Sequence, residues 1–142
     1  MKIKDIMTKD VITLNENDTV EKAAKLMKEH NIGSIPVCQG ENVIGVITDR
    51  DITTRSIAQD QDIKNQKVRD IMTSNPVTAN PNMDVHEASR IMSERQIRRL
   101  PVVENSKITG IVALGDLAVE SKLNDDAGKA LGNISEPSSP NM

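Results

Sequence analysis

Thr48-Asp49-Arg50-Asp51 stands where an apolar run, Val43 to Ile47, gives way to a helical pattern. A strand-to-helix junction attracts phosphate, because the free backbone N–H groups and the dipole of the helix point out of it. Thr48 can donate a hydroxyl hydrogen bond to a phosphate oxygen. Asp51 can accept from the two vicinal hydroxyls of a ribose. The same four residues also read as plain helix capping, with Thr48 or Asp49 at the N-cap and Asp51 as first-turn charge. Residue types alone leave both readings open.

The junction occurs twice. Gly45-Val46-Ile47-Thr48-Asp49-Arg50-Asp51 returns as Gly110-Ile111-Val112-Ala113-Leu114-Gly115-Asp116, so Thr48 is matched by Ala113 and Asp51 by Asp116. Ala113 has no hydroxyl, and losing one charge-assisted hydrogen bond costs about 1.5–3 kcal/mol, or tenfold and more in affinity. A second difference runs the other way: Arg98-Arg99 stands where the first copy has Gly33-Ser34. A guanidinium fork suits phosphate oxygens, while Glu94 and Glu104 offer both arginines ordinary surface pairing.

Other chemistry-bearing residues are sparse. Cys38 lies in a strand-like run and reads as a small buried side chain, with no thiolate-stabilising environment visible. His30 and His86 fall at non-matching positions of the repeat, and no His/Cys/Asp cluster has metal-ligand spacing. Asp49, Asp51 and Asp116 would join a Mg²⁺ only with a bound phosphate. No serine sits in a Gly-flanked nucleophile elbow. These readings assign no catalytic residue, no metal site and no resident cofactor.

The elements that carry the junction are themselves duplicated. Ile3-Lys4-Asp5-Ile6-Met7-Thr8 returns as Val68-Arg69-Asp70-Ile71-Met72-Thr73, and the register shift stays constant, without a gap, through Ile52 and Leu117. Such identity of spacing implies one supersecondary unit used twice. Each copy reads as a helical turn (Ile3 to Met7; Val68 to Met72) and a short extended segment (Val11 to Thr13; Val77-Thr78). A helix then starts at Asp18/Thr19 or at Asp84, where Glu87 suggests a capping box. Val20, Ala23, Ala24 and Met27 share one face of the first helix; Val85, Ala88 and Met92 share one face of the second. Two strands follow, Ile35–Cys38 with Val43–Thr48 and Leu100–Val103 with Ile108–Ala113, and then helices over 49–58 and 115–122. Gly45 and Gly110, inside strands, predict a bulge or a close backbone approach.

The fold class is therefore α+β, with tandem β-α-β-β-α repeats expected to pack as one pseudo-twofold module. Boundaries fall at 1–60 for repeat one, 61–67 for a polar linker, 68–122 for repeat two and 123–142 for a tail. Residues 123–132 suggest a short helix, and the Ser/Pro/Asn-rich end from 133 reads as disordered. Neither repeat of about 55 residues buries much core alone, so the two halves are expected to fold as one body.

Bulk properties exclude several classes. The 142 residues carry a net charge of −3 and no aromatic side chain at all. An acidic chain without stacking platforms argues against nucleic-acid binding, and a planar ligand must lie between aliphatic walls, backbone and arginine. No apolar run is long enough to span a bilayer, and no secretory h-region opens the chain. One cysteine fits a reducing compartment, so a cytoplasmic location is expected.

The doubled junction, Gly-x-x-Thr-x-x-Asp in the first copy and Gly-x-x-Ala-x-x-Asp in the second, the Ile35-Pro36-Val37 strand entry and the Asp5-Ile6-Met7-Thr8 lead-in together resemble a pair of CBS domains, a Bateman module, over Met1 to about Lys122. The whole is similar to the small stand-alone CBS-pair proteins of bacteria. That resemblance implies binding of an adenine nucleotide or S-adenosylmethionine in clefts between the repeats. By it, Ile12, Thr13, Ile35 and Pro36 wall the base, Thr48 meets phosphate and Asp51 the ribose. A weaker second site takes Thr78, Leu100, Pro101 and Asp116. Arg98 and Arg99 reach the phosphate of the ligand anchored by Asp51. The resemblance also implies a homodimer that acts on an unknown protein target. Two rivals stand beside it: a ligand-free dimerisation or interaction scaffold, and a redox sensor working through Cys38.

Overall fold

The computed structural model describes residues 1–119 and 124–136. Its strands are β1 (Leu14–Asn15), β2 (Ser34–Gln39), β3 (Asn42–Thr48), β4 (Thr73–Ser74), β5 (Arg99–Glu104) and β6 (Lys107–Ala113). Its helices are α1 (Val20–His30), α2 (Asp49–Arg55), α3 (Val85–Arg95), α4 (Leu114–Val119) and α5 (Asn124–Ser135). Short 3₁₀ turns at Ile3–Asp5 and Val68–Asp70 form the two lead-ins. The mixed α+β class and the tandem order of elements are as the repeats predict.

Two compact units organise the chain, and they do not follow the sequence repeats. One holds Ile12–Pro76 with Asn105–Ile108; the other holds Met1–Val11, Val77–Glu104 and the described residues from Thr109 onward. Each repeat's lead-in thus belongs to the unit built on the other repeat. In the first unit Val68 N–H donates to the Asp18 carbonyl at 2.9 Å; in the second, Ile3 N–H donates to the Met83 carbonyl at 2.9 Å. The apolar clusters agree. Val68 and Ile71 pack with Leu14, Val20, Ile35 and Ile47, while Ile3 packs with Val85, Met92, Leu100 and Val112.

Within the first unit β1 runs parallel to β2 with Leu14 opposite Val37. β2 pairs antiparallel with β3, Ile35 opposite Ile47, with a bulge between Val37 and Cys38. β4 then lies antiparallel on β3, Gly45 opposite Ser74. The second unit repeats the scheme in reduced form, with single bridges Ala79–Val102 (parallel) and Thr8–Ile111 (antiparallel). The expected extended segments therefore pair one or two residues later than their composition suggests. Burial decides this: Leu14 is 1 % exposed and Ala79 3 %, whereas Thr13 and Thr78 face outward.

Gly45 and Gly110 make the close approaches that their place in a strand predicts. A Cβ on Gly45 would lie 2.9 Å from the Thr73 carbonyl oxygen and also strike the Met72 side chain. One on Gly110 would lie 2.8 Å from the Thr8 carbonyl oxygen and strike Met7. The doubled Asp-Ile-Met-Thr lead-in is thus the lid over the doubled strand glycine, always supplied by the other repeat.

Three local expectations are corrected. Asp84 caps α3 through His86 N–H at 2.8 Å, and Glu87 pairs with Arg90 at 3.4 Å rather than closing a capping box. α2 stops at Arg55 and continues as a 3₁₀ turn, Ile57–Gln59, instead of running to residue 58. α5 extends beyond 132 to Ser135; the rest of the expected tail, residues 137–142, lies outside the described residues. α5 is docked rather than loose: Ala127 and Ala130 are buried, Ser89 Oγ donates to the Asp126 carbonyl at 3.1 Å, and His86 meets the Asp126 carboxylate.

Candidate functional site

β3 delivers Thr48 to the N-terminus of α2, and the two candidate polar residues there engage each other. Thr48 Oγ1 accepts from Asp51 N–H at 3.1 Å, and Asp51 Oδ2 accepts from Thr48 N–H at 3.0 Å. This reciprocal pair is a complete capping box, in which each side chain satisfies a backbone donor that the first helical turn leaves free. Asp51 is 8 % exposed. Its second oxygen, Oδ1, lies 3.8 Å from Arg55 Nε, so one carboxylate edge stays outside the box. Arg55, whose guanidinium also donates to the Ile71 carbonyl at 3.1 Å, was not among the sequence candidates. Its signal is the i, i+4 spacing from Asp51 on a helix.

The hydrophobic candidates are distributed unevenly. Ile12 is half-buried and Thr13 exposed. Ile35 has no exposed surface and belongs to the aliphatic core of its unit. The expectation that Ile35 walls a base therefore falls on a side chain packed in the core, within a stretch of β2, Ile35 to Cys38, that is buried throughout. Pro36, the next residue on β2, is buried as well. Thr48, Asp51, Ile12, Thr13, Ile35 and Pro36 all lie in the same unit.

The second set repeats this with losses. Asp116 Oδ2 accepts from Ala113 N–H at 2.7 Å, so the carboxylate half of the box survives where the hydroxyl half is gone. Leu100, expected as a ligand wall, is likewise fully buried in the core of its unit. Pro101 is buried and Thr78 exposed. Arg98 and Arg99 belong to this unit, not to the one that holds Asp51. They line a cleft of about 550 Å³ with Ala113, Leu114 and Gly115 and with residues of α5. Among the described residues neither arginine has a carboxylate within ion-pair distance, so the expected pairing with Glu94 or Glu104 is not formed. The α5 wall of that cleft was invisible to sequence reasoning.

Cys38 sits in β2 at 4 % exposure, and burial pushes its thiol pKa up. A protonated, enclosed thiol is a poor nucleophile, which weighs against the redox reading. Among the described residues no group of three or more His, Cys, Asp or Glu side chains gathers as a metal site requires. No described helix is long and apolar enough to cross a membrane.

A family model for the CBS domain matches residues 3–57 and 68–122. CBS domain-containing protein YhcV of Bacillus subtilis is 48% identical over 133 residues, which cover 94% of each chain. Among solved structures, Hypoxic Response Protein I with two coordinated zinc ions aligns at TM-score 0.79 and 30% identity, covering 84% of this chain and 98% of that one. The protein of the same name, Hypoxic response protein 1, comes from Mycobacterium tuberculosis. The CBS domain pair of protein MJ0100, in complex with 5′-methylthioadenosine and S-adenosyl-L-methionine, aligns at TM-score 0.73 and 32% identity, covering 83% and 93%.

Proposed function

The chain belongs to the CBS-domain family, with two CBS domains in tandem, and from that premise we propose that it is a regulatory module binding an adenosyl ligand. AMP, ADP, ATP and S-adenosylmethionine are the candidates, and the observation that carries the reading is the MJ0100 pair with two adenosyl compounds bound. The Asp51 carboxylate supports it: Oδ2 is held by the capping box, and Oδ1 keeps lone pairs for a ribose hydroxyl. The bound state then acts on a protein target, in a homodimer, in the cytoplasm. A ligand shifts such a module only through different affinities for two states. Among the described residues no general acid and base stand in a working constellation, and the proposal includes no catalysis.

The rival, a ligand-free scaffold, draws on a specific observation. Thr48 and Asp51 satisfy each other, and Asp116 keeps its backbone bond without any hydroxyl partner, so capping alone accounts for both carboxylates. Calorimetry with AMP, ADP, ATP and S-adenosylmethionine separates the two. We expect one of them to bind at about micromolar affinity, and Asp51→Asn, which keeps a capping acceptor, to weaken it at least tenfold. No heat from any of the four leaves the scaffold. Binding that Asp51→Asn does not alter removes Asp51 from the site. With no Trp or Tyr in the chain, a copurified adenine ligand would dominate absorbance near 260 nm.

A further inference from the structure

Arg55 joins two parts of the chain that the repeat boundary separates. At one edge its Nε lies 3.8 Å from Asp51 Oδ1. At the other, its Nη1 donates to the Ile71 carbonyl at 3.1 Å. Ile71 belongs to the lead-in of repeat two and is 3 % exposed, within the apolar cluster that also holds Ile35 and Ile47. The turn before it is fixed as well: Val68 N–H donates to the Asp18 carbonyl at 2.9 Å, and Met72 N–H to the Val68 carbonyl at 3.0 Å. Arg55 is therefore tied to a rigid acceptor, although its side chain is 53 % exposed. All of these residues lie in one unit.

The partner that this anchor serves is Asp51. Among the described residues no other carboxylate comes within 4.0 Å of Arg55. Asp70, which lines the same polar cleft of about 490 Å³, makes no ion pair with it. At 3.8 Å the contact to Oδ1 is longer than a hydrogen bond, so the guanidinium sets the field at that oxygen without occupying its lone pairs. An i, i+4 pair open to solvent contributes little to the fold by itself. It matters more once a ligand covers Asp51, because a carboxylate withdrawn from water needs a charged partner. Repeat two offers no such partner from the matching helix. Glu120 stands where repeat one has Arg55, and residues 114–120 contain no Lys or Arg.

Resting on the adenosyl reading of Asp51, we propose that Arg55 is a positioning residue for that ligand. It orients the free edge of the Asp51 carboxylate toward the ribose hydroxyls and compensates the anion when the ligand shuts out water. Arg55 itself touches no ligand atom. Its anchor is the Ile71 carbonyl, so the ribose contact of repeat one is completed by the lead-in of repeat two. Asp116, followed by Glu120, is the poorer anchor on this ground as well as through Ala113.

The test is calorimetry on the full chain with AMP, ADP, ATP and S-adenosylmethionine as probes. Wild type is compared with Arg55→Gln, Arg55→Lys, Asp51→Asn and the double variant Asp51→Asn/Arg55→Gln. For the compound that wild type binds, Arg55→Gln should weaken affinity about fivefold, the scale of a partly screened charge pair. Arg55→Lys keeps the charge and should stay within about twofold of wild type. In the Asp51→Asn background Arg55→Gln should change nothing further, since the group it positions is gone. A merely structural role in α2 would carry the same loss into both backgrounds, and that result overturns the proposal. So does unaltered affinity in Arg55→Gln or in Asp51→Asn, or a loss in Arg55→Lys as large as in Arg55→Gln. If wild type binds none of the four, the adenosyl reading fails and this inference with it. Binding that is indifferent to Arg55 removes the inference and leaves that reading standing.

Discussion

Asp51 and Asp116 occupy matched positions and keep the same bond, from carboxylate Oδ2 to the backbone N–H three residues earlier, at 3.0 and 2.7 Å. Retention of an acid in both repeats is thus explained by the backbone before any ligand is invoked. What distinguishes Asp51 is its neighbourhood, with the Thr48 hydroxyl on one side and Arg55 on the other. Cys38 is the other residue whose environment decides its chemistry. Burial raises its pKa, so the folded chain holds the thiol proton to higher pH than the unfolded chain does. Above the ordinary thiol pKa of about 8.5 the folded state binds more protons, and stability falls as pH rises. The urea midpoint of the wild type should therefore drop faster than that of Cys38→Ala between neutral and alkaline pH. In the native state a thiol reagent such as DTNB should react only at the rate of unfolding. Prompt native reaction and parallel pH curves would bring the redox reading back.

Among the elements, α2 and α4 differ by half a capping box, and that difference can be measured. Thr48→Ala should lower stability by about 0.5–2 kcal/mol, the usual cost of losing a Ser or Thr N-cap. Ala113→Thr should recover up to about 1 kcal/mol by completing the box that Asp116 has kept half of. Urea midpoints of the two variants check this, and a neutral Ala113→Thr would mean that the α4 N-terminus departs from the α2 geometry. Most elements were legible beforehand because their signals are local. Helix starts carry Thr19 and Asp84 as caps. Helix ends carry Asn31 and Gln96 in the left-handed region, at φ 54° and 55°. The role of α5 was not legible. Its buried face is Ala127 and Ala130, residues too small to mark an apolar stripe. Its anchors, Ser89 and His86, read as surface polar residues until Asp126 is placed beside them. The Arg98–Arg99 cleft was hidden for the same reason, since one of its walls is that helix.

At the scale of the whole molecule the duplicated lead-ins explain why two repeats make one protein. Ile3-Lys4-Asp5-Ile6-Met7-Thr8 and its copy are so alike that each is chemically suited to either strand glycine, and no residue type says which one it covers. Chain geometry makes the choice: Met7 lies over Gly110 and Met72 over Gly45. Repeat one by itself would therefore lack Val68 and Ile71, two fully or nearly buried members of its apolar cluster. Ile3, with no exposed surface, should by contrast support repeat two. Truncating a buried isoleucine to alanine costs about 2–5 kcal/mol, and local opening reports where that loss is felt. In Ile3→Ala, amide hydrogen exchange should accelerate across α3 and β5, eighty residues and more along the chain, by a larger factor than in α1 and β2. Val68→Ala should reverse the pattern. Faster exchange confined to the repeat that contains the mutation would mean that each lead-in packs on its own repeat, and the exchanged arrangement would have to be abandoned.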